Sequence, residues 1–172
     1  MIDNILYFAK IRSTAIIPTK KDEDAGYDIY ADITEPIVIH SGETKLIPTG
    51  IASAMSSNYY LQVEERSSIG AKGIKKSAGV IDSGYRGEIN IALTNTTQNA
   101  VILANSERDF NRMVFEHSGE TKIGWTALYT NKAIAQLIVH KVCEMNVKEI
   151  PYEKLKQIPS ARGVGGFGSS GK

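Results

Sequence analysis

The sequence predicts an all-β protein, an antiparallel barrel or sandwich, on three observations. Short apolar runs rich in β-branched residues alternate with turn-forming clusters, the segment from Glu88 to Thr94 keeps an unbroken two-residue period, and helical periodicity is weak. Along the chain, Ile37 to Ile39, Lys45 to Ile51 and Tyr59 to Val63 are the first strand candidates, separated by Ser41-Gly42, Pro48 and Ser56-Ser57-Asn58. From Glu88 to Thr94, side chains of Ile89, Ile91 and Leu93 fall on one face, and those of Glu88, Asn90, Ala92 and Thr94 on the other. Ala133 to Val142 is apolar almost throughout, so a strand buried on both faces is expected there. Asn105 to Glu116 puts Phe110, Met113 and Val114 near one helical face after a capping Asn105 or Ser106, and Tyr152 to Gln157 offers one turn after Pro151.

With 172 residues, the chain has room for about one domain. A formal net charge of +1 argues against a nucleic-acid coat or a polybasic membrane binder, both of which need a large cationic excess. Apolar runs are too short to span a bilayer, and the acidic, briefly apolar start lacks the layout of a secretory signal. Cys143 is the single cysteine, which excludes an intramolecular disulfide and suits a reducing compartment. The expected location is therefore the cytoplasm, or the interior of a host cell for a viral or phage chain. From Lys154 onward no acid occurs, whereas Lys154, Lys156, Arg162 and Lys172 are basic and the end is rich in glycine. Such a segment is expected to order on a ligand or partner.

Several short patterns carry candidate chemistry. Gly163 to Gly168 satisfies the dinucleotide fingerprint and Gly166 to Lys172 most of a P-loop, but neither is followed by the helix whose N-terminus would hold phosphate. A linker would explain the glycines and serines but not Arg162 and Phe167, a guanidinium and a stacking ring suited to closing over a nucleotide. Glu65 to Gly73 combines Arg66, Ser67, Ser68 and two glycines, a set that suits phosphate oxygens or, more plainly, a surface turn. In Gly79 to Glu88, Asp82 follows a buried apolar pair and precedes a glycine turn; a dry, shaped site would make it a proton acceptor. Ordinary hairpin chemistry is the competing explanation. Asp28, in Ala25 to Asp32, is a candidate magnesium-side carboxylate, whereas the scattered His40, His117 and His140 argue against a zinc site.

Taken in order, AGYDIYAD from Ala25, ERSSIGAKG from Glu65, GVIDSGYRGEI from Gly79, AIAQLIV from Ala133 and RGVGGFGSSG from Arg162 make the chain resemble the trimeric dUTPase family. The resemblance implies a jelly-roll-like β-barrel over residues 1–159, a flexible glycine-rich arm over 160–172, and a homotrimer with shared active sites. It implies hydrolysis of dUTP to dUMP and pyrophosphate with Mg2+, which keeps uracil out of DNA and supplies dUMP for dTMP synthesis. Asp82 would activate the water that attacks the α-phosphorus, and Asp28 would hold the metal through a water. Arg66, Ser67, Ser68 and Gln136 would position phosphates, Tyr85 would pack on the deoxyribose, and backbone near Val80, Ile81 and Asn90 would read uracil. Arg162 would grip the γ-phosphate, Phe167 would stack on the base, and Ser169 and Ser170 would close on phosphate.

The chain also departs from the family pattern. Ser68 stands at a usual glycine and Lys76 at a usual asparagine, while Thr130-Asn131-Lys132 replaces the usual lead-in to the fourth block. Residues 104–130, with Phe110, Phe115 and Trp125, exceed the common form and are read as a surface elaboration or trimer contact, with docking of a regulatory protein as the less favoured alternative. The sister dCTP deaminases share the Arg-Ser-Ser block but need a glutamate where this chain has Ala92 and an arginine where it has Ala71. Alanine transfers no proton, which argues against deamination.

Overall fold

The structure is a computed structural model that describes residues 4–117 and 124–165. Its strands are Tyr7–Lys10 (β1), Gly26–Ile29 (β2), Ile37–Ile39 (β3), Thr44–Pro48 (β4), Ile51–Ala54 (β5), Tyr59–Glu64 (β6), Ile74–Lys76 (β7) and Val80–Ile81 (β8). Asn90–Asn95 (β9), Ala100–Ala104 (β10), Trp125–Tyr129 (β11) and Ala135–Lys141 (β12) complete the set. Helices are short: Ser67–Gly70 (α1), Glu107–His117 (α2) and Tyr152–Lys156 (α3). None among the described residues is long and apolar enough to cross a membrane.

The strands form four small sheets, ordered β1-β5, β11-β10-β3, β2-β12-β6-β8 and β4-β9-β7. One hydrophobic cluster lies against them, with Ile29, Ile39, Ile47, Ile51, Leu61, Ile74, Ile91 and Leu137 fully out of solvent. Chain contacts divide the molecule at Val142/Cys143, ahead of the 159/160 boundary expected from the sequence.

Where the period was clean the strand formed: Ile89, Ile91 and Leu93 are buried and Asn90 is exposed. The expected run from Lys45 to Ile51 is instead two strands, β4 and β5, because Gly50 turns the chain with φ +66°. A side chain at that glycine would also press within 2.5 Å of Asp32 Oδ2 and 2.6 Å of the Ala15 methyl. β12 is not buried on both faces. Ala135 and Leu137 point into the core, Gln136 and Ile138 are half-exposed, and the strand is open to solvent from Val139 onward. The other face of its sheet carries polar groups rather than a second apolar layer.

Residues 104–130 contain more than surface. α2 starts at a Ser106 N-cap, whose Oγ accepts the Asp109 N–H at 3.1 Å and donates to the Asp109 carboxylate at 2.8 Å. It then crosses to β11, which pairs in parallel with β10 in the register Ala100↔Trp125 to Ala104↔Tyr129. Parallel neighbours need such a crossover, so the added segment is a helix plus a sheet strand. Phe110 packs edge-on against Tyr129 with ring centres 6.5 Å apart.

Candidate functional site

The β2-β12-β6-β8 sheet gathers residues that lie far apart in the chain. In its register Asp28 opposes Gln136, and Gln136 opposes Glu64, so these side chains share the face turned away from Leu61, Val63 and Leu137. Gly26 permits this crowding, since a side chain there would meet Gln136 Oε1 at 3.0 Å and its Cβ at 3.1 Å. Gln136 Nε2 donates to the Glu65 carbonyl at 3.1 Å, which aims the amide toward the end of β6.

At that end the backbone turns into α1. Arg66 is extended (φ −75°, ψ 144°), and Ile69 is buried, so the turn is anchored from within while Ser67 and Ser68 stay exposed. Arg66 Nε lies 3.0 Å from Asp28 Oδ1, and its Nη1 donates to the Ala133 carbonyl at 3.3 Å. Asp28, Arg66, Ser67, Ser68 and Gln136 line one polar cavity of about 370 Å³, together with Asp24. One cation, two hydroxyls and an amide converge there beside two carboxylates.

The second group is elsewhere. Val80 and Ile81 pair with Gln62 and Leu61 on β6, so Asp82 leaves the sheet at the opposite end of β6 from Arg66. At about 3.3 Å per residue, the stretch from Leu61 to Arg66 is roughly 17 Å long. Within one chain, therefore, Asp82 does not reach the cavity that holds Arg66 and Ser67, and neither Tyr85 nor Asn90 lines it. Asp82 is exposed rather than dry, and Tyr85 is 46% exposed with its hydroxyl donating to the Glu88 carbonyl at 3.0 Å. Asn90 Nδ2 also donates to that carbonyl, at 3.2 Å.

In the C-terminal unit, α3 follows Pro151, and Arg162 is exposed with its Nε on the Gly165 carbonyl at 2.8 Å. No carboxylate pairs with it among the described residues. Phe167, Ser169 and Ser170 lie outside the described residues.

Two polar groupings have no sequence motif behind them. Lys76 Nζ pairs with Glu64 Oε1 at 3.2 Å, while its backbone N–H donates to Glu65 Oε1 at 3.0 Å. Arg12 bridges Asp32 (Nε to Oδ2, 2.7 Å) and both oxygens of Glu88 (2.5 and 3.1 Å). The Arg12 hydrogen bonds, and behind them the Gly50 and Thr49 N–H groups, hold the Glu88 carboxyl below the usual range against the opposing effect of burial. A lowered value keeps Glu88 charged, and these bonds made, at pH values where an ordinary glutamate has begun to protonate. The separations of 20 and 76 residues explain why no local pattern announced them.

The fold is that of a β-strand protein, and its cavity sets one arginine, two serine hydroxyls and a glutamine amide beside two carboxylates. Residues 12–125 match the sequence profile of the dUTPase family. A deoxyuridine 5'-triphosphate nucleotidohydrolase of Chlamydia muridarum is 32% identical over 170 residues, covering 96% of this chain and 98% of that protein. The chain belongs to the dUTPase family. In fold it resembles Staphylococcus bacteriophage 80alpha dUTPase with dUPNHPP, at a TM-score of 0.72 and 23% identity over 98% of this chain and 99% of that one. It also resembles a mutant dUTPase from phage phi11 of S. aureus, whose structure describes the coordination of a structural Mg(II) ion (TM-score 0.65, 21% identity, 86% and 97% covered).

Proposed function

We propose that the protein hydrolyses dUTP to dUMP and pyrophosphate at a site assembled from more than one copy of the chain, in the compartment that holds the deoxynucleotide pool. The observation that carries this reading is the polar cavity, which holds Asp28, Arg66, Ser67, Ser68 and Gln136 within a family of dUTP nucleotidohydrolases. Transfer of a phosphoryl group depends on charge neutralisation and positioning more than on covalent chemistry, and this cavity offers those.

Arg66, Ser67, Ser68 and Gln136 hold the triphosphate in this reading. The cavity also fits magnesium. No three metal-ligating side chains cluster into a closed cage among the described residues. A magnesium that keeps its waters and shares phosphate oxygens needs only one or two carboxylates, and Asp28 and Asp24 border the cavity. When bound, the ion neutralises phosphate charge.

Asp82 accepts the proton of the water that attacks the α-phosphorus. A general base works only within hydrogen-bond reach of that water. Asp82 of one copy therefore serves the cavity of another, and a homotrimer with shared sites meets the requirement. Tyr85 packs on the sugar, and the backbone of Val80, Ile81 and Asn90 reads the uracil edge. Arg162 neutralises the terminal phosphate from the arm, with Phe167, Ser169 and Ser170 closing over the nucleotide. Deamination finds no support, because Ala92, where the sister family needs a proton carrier, is a buried methyl only 4% exposed.

Pyrophosphate release from dUTP, dCTP, dTTP and UTP tests the reading. With magnesium present, dUTP is the expected substrate, and kcat/KM for each of the others should be at least about a hundredfold lower: dCTP presents a different base edge and leaves buried groups unpaired, while the 2′-hydroxyl of UTP meets Tyr85 and the 5-methyl of dTTP crowds the base site. No turnover of dUTP, or equal turnover of all four, contradicts the proposal.

A further inference from the structure

We propose that Arg12 is a positioning residue for catalysis, holding through Glu88 the loop that carries Asp82 and Tyr85. The inference rests on the assignment of Asp82 as the base.

The loop between β8 and β9 has two fixed ends. Ile81 is buried and paired with Leu61 on β6, which holds the entry. Glu88 and Ile89 hold the exit. The Ile89 N–H donates to the Ile51 carbonyl at 2.8 Å, and the Ile89 carbonyl accepts from the fully buried Thr49 hydroxyl at 2.6 Å. Glu88 Oε1 accepts the N–H groups of Thr49 and Gly50 at 3.1 and 2.7 Å in addition to Arg12. Arg12 closes the arrangement with a fork onto both carboxylate oxygens, the geometry that fixes orientation as well as charge. Asp32 on the other side of the guanidinium keeps Arg12 itself in place.

Between these ends the loop is bonded mainly to itself. Tyr85 N–H donates to the Asp82 carbonyl at 3.0 Å, and Arg86 Nη1 donates to the carbonyls of Ser83 and Tyr85 at 2.6 and 2.9 Å. The Tyr85 hydroxyl is tied to the Glu88 carbonyl. Apart from a long contact of Arg86 Nη1 with the Ser53 carbonyl at 3.4 Å, these bonds tie the loop to Glu88, so a shift of Glu88 should be passed to Tyr85 and Asp82. The Arg12 and Glu88 side chains are 38% and 23% exposed. A pair that open to solvent contributes little to global stability. Its loss should therefore appear in turnover more than in melting.

The test compares Arg12→Ala, Arg12→Lys, Glu88→Gln and the Arg12→Ala/Glu88→Gln double variant by steady-state dUTP hydrolysis, thermal melting and hydrogen exchange of the peptide spanning residues 82–88. Arg12→Ala should lower kcat by up to about a hundredfold, since misplacement by about an ångström has effects of that order. KM should change less than kcat, because Arg66 and Ser67 are untouched and only the contact of Tyr85 with the sugar moves with the loop. Arg12→Lys should recover part of kcat but not all of it, as a lysine makes one contact where the fork made two. The double variant should be no slower than the worse single one, since both break one interaction. Faster exchange across 82–88 is expected in every variant. That readout needs no substrate, so a wild-type protein inert toward dUTP would overturn the proposed function and with it the catalytic role of Arg12, while faster exchange would still show that Arg12 anchors the loop. A folded Arg12→Ala protein with kcat within twofold of wild type, losses that multiply in the double variant, or unchanged exchange in the loop would overturn the positioning role.

Discussion

Asp82→Asn is expected to lower the turnover of dUTP by about 1,000-fold while leaving the affinity for a non-hydrolysable dUTP analogue within about threefold. Asparagine keeps the size of the side chain and loses only the capacity to take a proton, and general-base catalysis contributes between about 100- and 10,000-fold. The substitution should not disturb folding. Asp82 is exposed, and the loop's internal bond at this residue uses its backbone carbonyl, not its carboxylate. Single-turnover hydrolysis together with equilibrium binding separates the two effects. Retained turnover would remove Asp82 from its role, whereas lost binding with lost turnover would make it a ligand of the nucleotide or of its metal.

Removal of residues 160–172 is expected to lower kcat/KM for dUTP by about 100-fold or more, with the melting temperature of the remaining protein nearly unchanged. The deletion takes away Arg162, an exposed guanidinium free of carboxylate partners among the described residues, along with Phe167 and the terminal serines. One lost donor to developing phosphate charge is worth roughly 100- to 1,000-fold, and a segment that closes over substrate also excludes stray water. Stability should persist because the hydrophobic cluster lies entirely within Met1–Val142. Calorimetry of the truncated protein beside dUTP kinetics checks both halves. Full activity after truncation would show that the arm has no part in catalysis.

The strands were readable wherever burial is one-sided and local. Ile89, Ile91 and Leu93 alternate with polar or small neighbours because their face of β9 and its lead-in meets the core, and that pattern survives in the bare sequence, although Ala92 on the opposite face is buried as well. The break at Gly50 was not readable, because a positive φ is a property of the fold around it: the Asp32 carboxylate and the Ala15 methyl leave no room for a side chain. β11 was hidden for a related reason. Its pairing with β10 is parallel and depends on α2 to carry the chain back, so nothing adjacent in sequence signals it. The uniform apolar look of Ala133 to Val142 misled about burial, since composition cannot show that the outer face of this sheet is a polar cavity wall.

The candidate site divides in the same way. Arg66, Ser67 and Ser68 are neighbours in the chain and announce a phosphate-holding turn, and the register then brings Asp28 and Gln136 to them. Arg12, Asp32 and Glu88 carry no such mark. Each is an ordinary charged residue until three separate segments meet beside the Thr49-Gly50 turn. The separation of Asp82 from Arg66 was equally invisible, because it follows from the direction in which β8 leaves β6.

That separation is the centre of the account, and mixed assemblies test it most directly. Asp82→Asn and Arg66→Ala chains should each be inactive alone, one lacking the base and the other the phosphate-holding cation. Unfolded together and refolded, or produced in one cell, they should recover about a quarter of the wild-type activity per chain, since random assortment in a symmetric oligomer joins an intact Arg66 cavity to an intact Asp82 loop at that frequency. Activity in the mixture no greater than in the parent variants would contradict a site shared between copies.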